Sequence, residues 1–441
     1  MKNFFRKAVF VLLCIFTLNM SYAEVIVNVN KGVMKPVSIA LSFFEPSEAV
    51  KDKFLDVVKN DLQGTFLFRS IPEEAFMQNL RGVDQQPKFQ LWRTINSQYL
   101  VNAQLTLSGS ELKVMFALYD VLAETKIGTF SATGPSKEWR KIAHKVSNSI
   151  YERITGEKGY FDTKILYVSL QKQARGRKIY RLAMMDQDGY NHQYLTDGKT
   201  IVLTPRFSPN GKEFSFFSYR EKIVNGRRVP MSASVYRYDL NSRRTELVAQ
   251  FQGMTYAPRY SPSGNLLIFS LSNHGSSSIY TFDLVTRRIK RLTKGRCIDT
   301  SPCYSPDGKY IVFNSDRGGT QQLYIMDADG SNVRRLSFSR GRYATPVWSP
   351  RGDWIAFTKM NNGFYIGVIR PDGSGERMLA SGYLTEGPTW SPNGRVIMFS
   401  HQDYSRKERI FSVDITGYNK HEVKTPTNAI DPEWSMKDRL F

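Results

Sequence analysis

Along residues 161–441, short apolar runs alternate with tight polar turns in a rhythm that repeats. In the unit that starts at Pro302, a first strand ends in Tyr304-Ser305 and the Pro306-Asp307-Gly308 turn reverses it. Tyr310-Ile311-Val312-Phe313 forms a buried second strand and Gln321 to Met326 a third. Asp327-Ala328-Asp329-Gly330 then turns into an alternating fourth strand, Val333-Arg334-Arg335-Leu336, of the half-exposed outer kind. Four antiparallel strands per period make one propeller blade.

The turn recurs as PRFSPNG from Pro205, PRYSPSG from Pro258, PCYSPDG from Pro302, PVWSPRG from Pro346, PTWSPNG from Pro388 and a worn PEWSMK from Pro432. Successive prolines stand 53, 44, 44, 42 and 44 residues apart, a blade-sized period. Residues 164–200 supply second, third and fourth strands (ILYVSL, IYRLAMMD, HQYLT) with no first strand, whereas the copy at Pro432 supplies a first strand and nothing after it. Joined, the fragments complete a sixth blade, so the C-terminal strand is predicted to close the ring and remove an exposed sheet edge.

Upstream the pattern is mixed. Residues 25–29, 37–44, 99–107 and 112–119 are predicted strands; residues 47–62 have helical spacing through Val50, Phe54, Val57 and Val58. A second helix is expected over residues 136–154, capped by Ser136 and apolar at Trp139, Ile142, Val146 and Ile150. This is a small α/β domain without a phosphate-binding glycine loop, and the predicted division is residues 1–23, 24–160 and 161–441.

Residues 1–23 carry the pattern of an export signal: Lys2, Arg6 and Lys7, an apolar run from Ala8 to Leu18, and small residues at Ser21 and Ala23. The run is too short to span a bilayer, and cleavage is expected after Ala23. A lipid anchor at Cys14 is disfavoured by Leu13, where a small residue is wanted. Export leaves Cys297 and Cys303, which form either one local bridge or two small buried hydrophobes. The histidines are scattered, so neither a zinc site nor another metal centre is predicted.

Composition sharpens the division. The whole chain has a formal net charge of +21, but residues 24–160 hold 17 cations against 15 anions, whereas residues 161–441 hold 41 against 25. The surplus sits in the propeller, where it suits an acidic partner.

The segments Glu24-Val25-Ile26-Val27, Lys35-Pro36-Val37-Ser38-Ile39, Asp186-Gln187-Asp188-Gly189-Tyr190-Asn191 and the junction from Thr155 through Gly156-Glu157-Lys158-Gly159-Tyr160-Phe161 to Ile165 add a specific signature. With them, the chain resembles the TolB family, periplasmic members of the Tol-Pal system of Gram-negative bacteria, along its whole mature length. The resemblance implies a monomeric adaptor without catalysis or cofactor. It would bind the lipoprotein Pal through the propeller and TolA through its extreme N-terminus, supporting envelope integrity and constriction during division; colicins and phage exploit the system in some bacteria.

A four-stranded meander sends alternate connections to opposite ends. The Ser-Pro-x-Gly and Asp-x-Asp-Gly turns share one face; the loops between second and third strands share the other, where each innermost strand begins. The segments at that mouth include Thr204, Tyr256, Ala257, Thr300, Thr345 and Glu386. These are the expected Pal contacts, Ala257 and Thr300 on the family's pattern, joined by Arg175, Arg228 and Arg317 from the basic second-to-third-strand loops. Met254 departs from the histidine of some relatives. The 53-residue spacing is attributed to a loop inserted over the mouth at residues 219–234. Glu24, Val25, Ile26 and Val27 are the residues expected to pair with TolA, in a segment that docks on its own domain in one state and is released in another.

Other classes have less support. A propeller hydrolase lacks a Gly-x-Ser-x-Gly elbow and a hydrolase-sized domain, and the Asp-x-Asp-Gly segments lack the remaining ligands of a calcium loop, which leaves tight turns. A polyanion binder would use Arg287 to Lys294, but export makes nucleic acid an improbable target and the blade pattern makes the run a solvent-facing outer strand.

Overall fold

The structure, a computed structural model, describes residues 35–44, 50–173, 178–224, 227–251, 254–273 and 275–436. The expected export signal and the segment expected to pair with TolA lie outside these residues.

The N-terminal domain runs β1 (Val37–Phe44), α1 (Lys51–Gly64), β2 (Phe68–Ile71), α2 (Phe89–Thr94), β3 (Tyr99–Ser108), β4 (Glu111–Asp120), β5 (Thr125–Pro135) and α3 (Trp139–Thr155). The sheet order is β2-β1-β3-β4-β5, with β1 parallel to both neighbours and the rest an antiparallel meander. β1 is covered on both faces, which is why it is a near-continuous apolar run. Helices α1 and α3 bury Phe54, Val57, Val58 and Leu62 against Ile142, Val146, Ile150 and Ile154 on one face. Trp92 of α2 packs on the other with Leu100 and Tyr119.

Two expectations change. Ser136 does not cap α3: residues Ser136–Glu138 form a 3-10 turn, and no side chain caps the helix that follows. α1 begins at Lys51, and residues 47–49 of the expected helix lie outside the described chain.

Six four-stranded sheets follow. Their innermost strands are Ile201–Phe207, Met254–Tyr260, Thr300–Tyr304, Arg342–Trp348, Leu384–Trp390 and Asn428–Trp434, defining blades 1 to 6. Blade 6 is the predicted composite, with Asn428 paired to Leu170 and Trp434 to Ile165. In blade 1 the second and third strands, Glu213–Val224 and Arg227–Asp239, keep pairing out to Val224 opposite Arg227. The expected inserted loop is therefore an extended β-hairpin, because backbone pairing satisfies groups that a loop would leave to water. Among the described residues Cys297 and Cys303 are unpaired, Cys303 being buried and Cys297 half-buried, and Ile289–Arg291 is an exposed outer strand.

The two domains share one core, in which Tyr160 packs edge-on against Trp434 and Phe161 against Tyr151. The N-terminal domain meets the propeller on the turn face: Asn393 donates to the Lys158 carbonyl (2.9 Å), Asn419 to that of Gly64 (2.9 Å), and Arg351 pairs with Glu157 (3.2 Å). At the same interface His144 of α3 hydrogen-bonds Asp61 of α1 through Nδ1 (2.8 Å), and its Nε2 faces Asp188 of the propeller (3.7 Å). Gln187 donates to Asp61 (3.1 Å) and Arg140 pairs with Asp188. The histidine and two carboxylates come within ligand distance of one another, but hydrogen bonds and Arg140 already engage them. The face with the second-to-third-strand loops points away from this contact.

Candidate protein-binding mouth of the propeller

Every innermost strand is interrupted at the same place. The register shifts around residues 203–206 in blade 1 and between Tyr256/Arg259, Thr300/Cys303, Ala344/Val347, Glu386/Thr389 and Ile430/Glu433 in the other blades. Each shift brackets the proline of the repeat. The residue before it is left-handed in five blades: Thr204 (φ 47°), Ser301 (54°), Thr345 (46°), Gly387 (66°) and Asp431 (52°). A proline cannot donate to the ladder, so the strand bulges there and turns backbone groups toward the channel.

The freed N–H groups stitch neighbouring blades together. Thr204 donates to Asp431 Oδ2 (3.2 Å), Asp431 to Ser400 Oγ (2.9 Å) and Gly387 to Thr358 Oγ1 (3.3 Å). Burial pushes the Asp431 carboxyl up, and Arg206 and the Thr204 N–H pull it back. Glu386, exposed at the mouth, is also raised, first by local desolvation and then by Asp431.

The predicted contacts fall into distinct situations. Thr300 accepts from Asn314 (2.8 Å), which also reaches Gln321 (2.7 Å); Thr345 shares a hydroxyl bond with Thr358 (2.8 Å). The Thr204 hydroxyl is buried and has no hydrogen-bond partner. Tyr256 and Ala257 lie in the inner strand of blade 2, with Tyr256 opposite Ser270. Arg228 lies in the blade 1 hairpin opposite Ile223, and Arg175 lies outside the described residues.

Arg317 is differently placed from a free loop cation. Its guanidinium chelates buried Asp299 with two 3.0 Å bonds, donates to Ser315 (3.0 Å) and stacks over Phe313 and Tyr324. Lys359 is likewise tied to Glu376 (2.7 Å), and Lys178 to Glu408 (2.6 Å). Asp299 and Glu376 were the residues missed from sequence; they lie 18 and 17 positions from the cations they neutralise, and no motif marks them. These three cations are thus neutralised where the loop composition counted them as free, whereas Arg406 and Lys407 stand exposed.

Comparison with known proteins places this architecture. The family model described as the TolB beta propeller domain matches residues 151–438, and that of the TolB amino-terminal domain matches residues 25–127. The chain belongs to the TolB family. It is 51% identical over 449 residues to the Tol-Pal system protein TolB of Rickettsia bellii (strain OSU 85-389), covering 98% of this chain and 99% of that one. The TolB of Rickettsia prowazekii (strain Madrid E) is 50% identical with the same coverage. The crystal structure of TolB from Acinetobacter baumannii superposes with a TM-score of 0.81 at 26% identity, over 91% of this chain and 97% of that one. Its agreement extends across both TolB domains, and membership of the Tol-Pal system follows from the full-length relatives.

Proposed function

We propose that this TolB-family chain is a non-catalytic periplasmic adaptor whose propeller mouth binds Pal and whose N-terminal segment, Glu24 to Val27, binds TolA. Pal would then be linked through one molecule to the energised inner membrane, in support of outer-membrane integrity and of constriction during division. The observation that carries the Pal assignment is the ring of bulged inner strands opening on the face opposite the N-terminal domain. Several of its backbone N–H, hydroxyl and carboxyl groups are held by hydrogen bonds within and between blades, so they meet a partner with little ordering left to do. The extended hairpin of blade 1 is rich in basic residues in sequence, which would hasten encounter with an acidic surface. The TolA assignment rests on the family resemblance and on the apolar character of Val25, Ile26 and Val27, which suits strand addition.

Calorimetric titration of the mature chain with the soluble domain of Pal tests the reading. Saturable one-to-one binding is expected, and Thr300→Arg should weaken it by at least about tenfold, equivalent to about 1.4 kcal/mol, with the unfolding transition preserved. Unchanged affinity in that variant would remove Pal from the mouth.

A further inference from the structure

The other end of the channel holds a second site. In every repeat the residue between the proline and the aromatic faces the channel axis, giving a ring of Arg206, Arg259, Cys303, Val347, Thr389 and Glu433. Together with the aromatic ring beyond, from Phe207 round to Trp434, these residues line a cavity of about 510 Å³ on the face that carries the Ser-Pro-x-Gly turns. Pro262, Pro306 and Lys158 at its rim are exposed, whereas Arg206 and Cys303 at its floor are buried. The cavity therefore opens toward the junction of the two domains.

Its charge is unbalanced. The ionisable side chains that line it, apart from the Cys303 thiol and the phenols, are Arg206, Arg259 and Lys158 against the single carboxylate Glu433. Glu433 stands 3.5 Å from Arg206 Nε and 3.9 Å from Arg259, and accepts a 3.3 Å bond from Thr389. Arg206 donates through one terminal nitrogen to the Pro205 carbonyl (2.7 Å), but its buried Nε has no hydrogen-bond partner. Burial and the neighbouring Arg259 both work against the Arg206 charge. Asp431 also acts on Arg206, but it is turned to Thr204 and does not line the cavity. Two guanidiniums that share one carboxylate, the buried one with its Nε 3.5 Å from it and forming no hydrogen bond, leave a net positive floor that an oxyanion can complement.

The walls narrow the choice of anion. Phe207, Tyr260, Tyr304, Trp348, Trp390 and Trp434, one from each blade, surround the charged floor. The indole N–H groups of the three tryptophans are already spent on Gly352, Val347 and Thr163, so they offer the cavity apolar surface. We propose that this turn-face end of the propeller channel binds a small organic anion, a carboxylate or phosphate monoester carried on an apolar body. The oxyanion bridges Arg206 and Arg259, and the body lies against the aromatic ring.

The test is titration of the purified chain with N-acetyl-L-phenylalanine, its neutral amide, phenyl phosphate and inorganic phosphate, by calorimetry and thermal shift. Either aryl anion should bind with a dissociation constant at or below about 1 mM, and which of the two binds tighter distinguishes carboxylate from phosphate ester. Arg259→Met should weaken binding about tenfold or more. Glu433→Gln, which removes the competing carboxylate, should tighten it several-fold, an effect that loss of folding could not produce. Binding of the neutral amide or of inorganic phosphate as tight as that of the aryl anions would overturn the assignment. So would unchanged affinity in Arg259→Met, or no binding to wild type and Glu433→Gln alike.

Discussion

Gly330 shows how a single position ties a turn motif to the assembly of the ring. It closes the Asp-x-Asp-Gly turn of blade 3 with φ +97°, and a Cβ there would stand 2.7 Å from the carbonyl oxygen of Leu292 in blade 2. Gly373 and Gly189 repeat the arrangement, 2.9 Å from Leu336 O and 3.1 Å from Lys424 O. The glycine is thus required twice, for a left-handed backbone and for close approach of neighbouring blades. Gly330→Ala should destabilise by about 2 kcal/mol, measured by chemical unfolding. Gly319→Ala, at φ +98° with nothing within 4 Å of its Cβ, should cost less, because it bears only the backbone strain. Equal losses would mean that the blade contact contributes nothing. Individual residues also decide the charge of the mouth: sequence shows that Arg317 and Lys359 are cations, but only folding brings Asp299 and Glu376 to them.

At the scale of elements, legibility followed burial. The inner strands of the propeller blades were readable because they bury repeated apolar runs between fixed turns, and the exposed outer strands because the same turns precede them. β1, β3 and β4 were readable from their buried apolar runs too. β5 was missed because its residues alternate between exposed and half-exposed and include Gly128 and Gly134, and α2 because six residues are too few to establish a helical period. The contact between α1, α3 and the turn after Asp186 was not legible at all, since nothing local marks His144 as the partner of Asp61 and Asp188. Burial opposes the charged imidazole there, but Asp61 and then Asp188 outweigh it and raise its pKa, with Arg140 pulling back. A histidine raised above its unfolded value near 6.5 contributes stability that is fully present below about pH 6.5 and is lost as pH rises through the folded value. Thermal stability should accordingly fall from pH 6.5 upward, and His144→Gln should flatten that slope. An identical pH dependence in the variant would show that His144 does not carry it.

Across the whole molecule, the two ends of one channel expose different groups: bulged inner strands at one, and an arginine floor ringed by aromatics at the other. The N-terminal domain covers part of the turn face and is joined to it through Tyr160, Phe161 and Trp434, the last on the strand that closes the ring. The sequence foretold that closure, because incomplete blades at the two ends of the repeat had to complement each other. It did not foretell which face the N-terminal domain would occupy, since that depends on side chains from blades 4, 5 and 6 meeting it in space. The arrangement leaves the bulged inner strands open on the opposite face, the surface proposed here for Pal. Hydrogen–deuterium exchange of the mature chain with and without the soluble domain of Pal is the direct test. Slowed exchange is expected in the mouth loops at residues 316–321, 361–363 and 403–407, with no direct protection of the Ser-Pro-x-Gly turns; protection confined to those turns, or none anywhere, would rule that surface out.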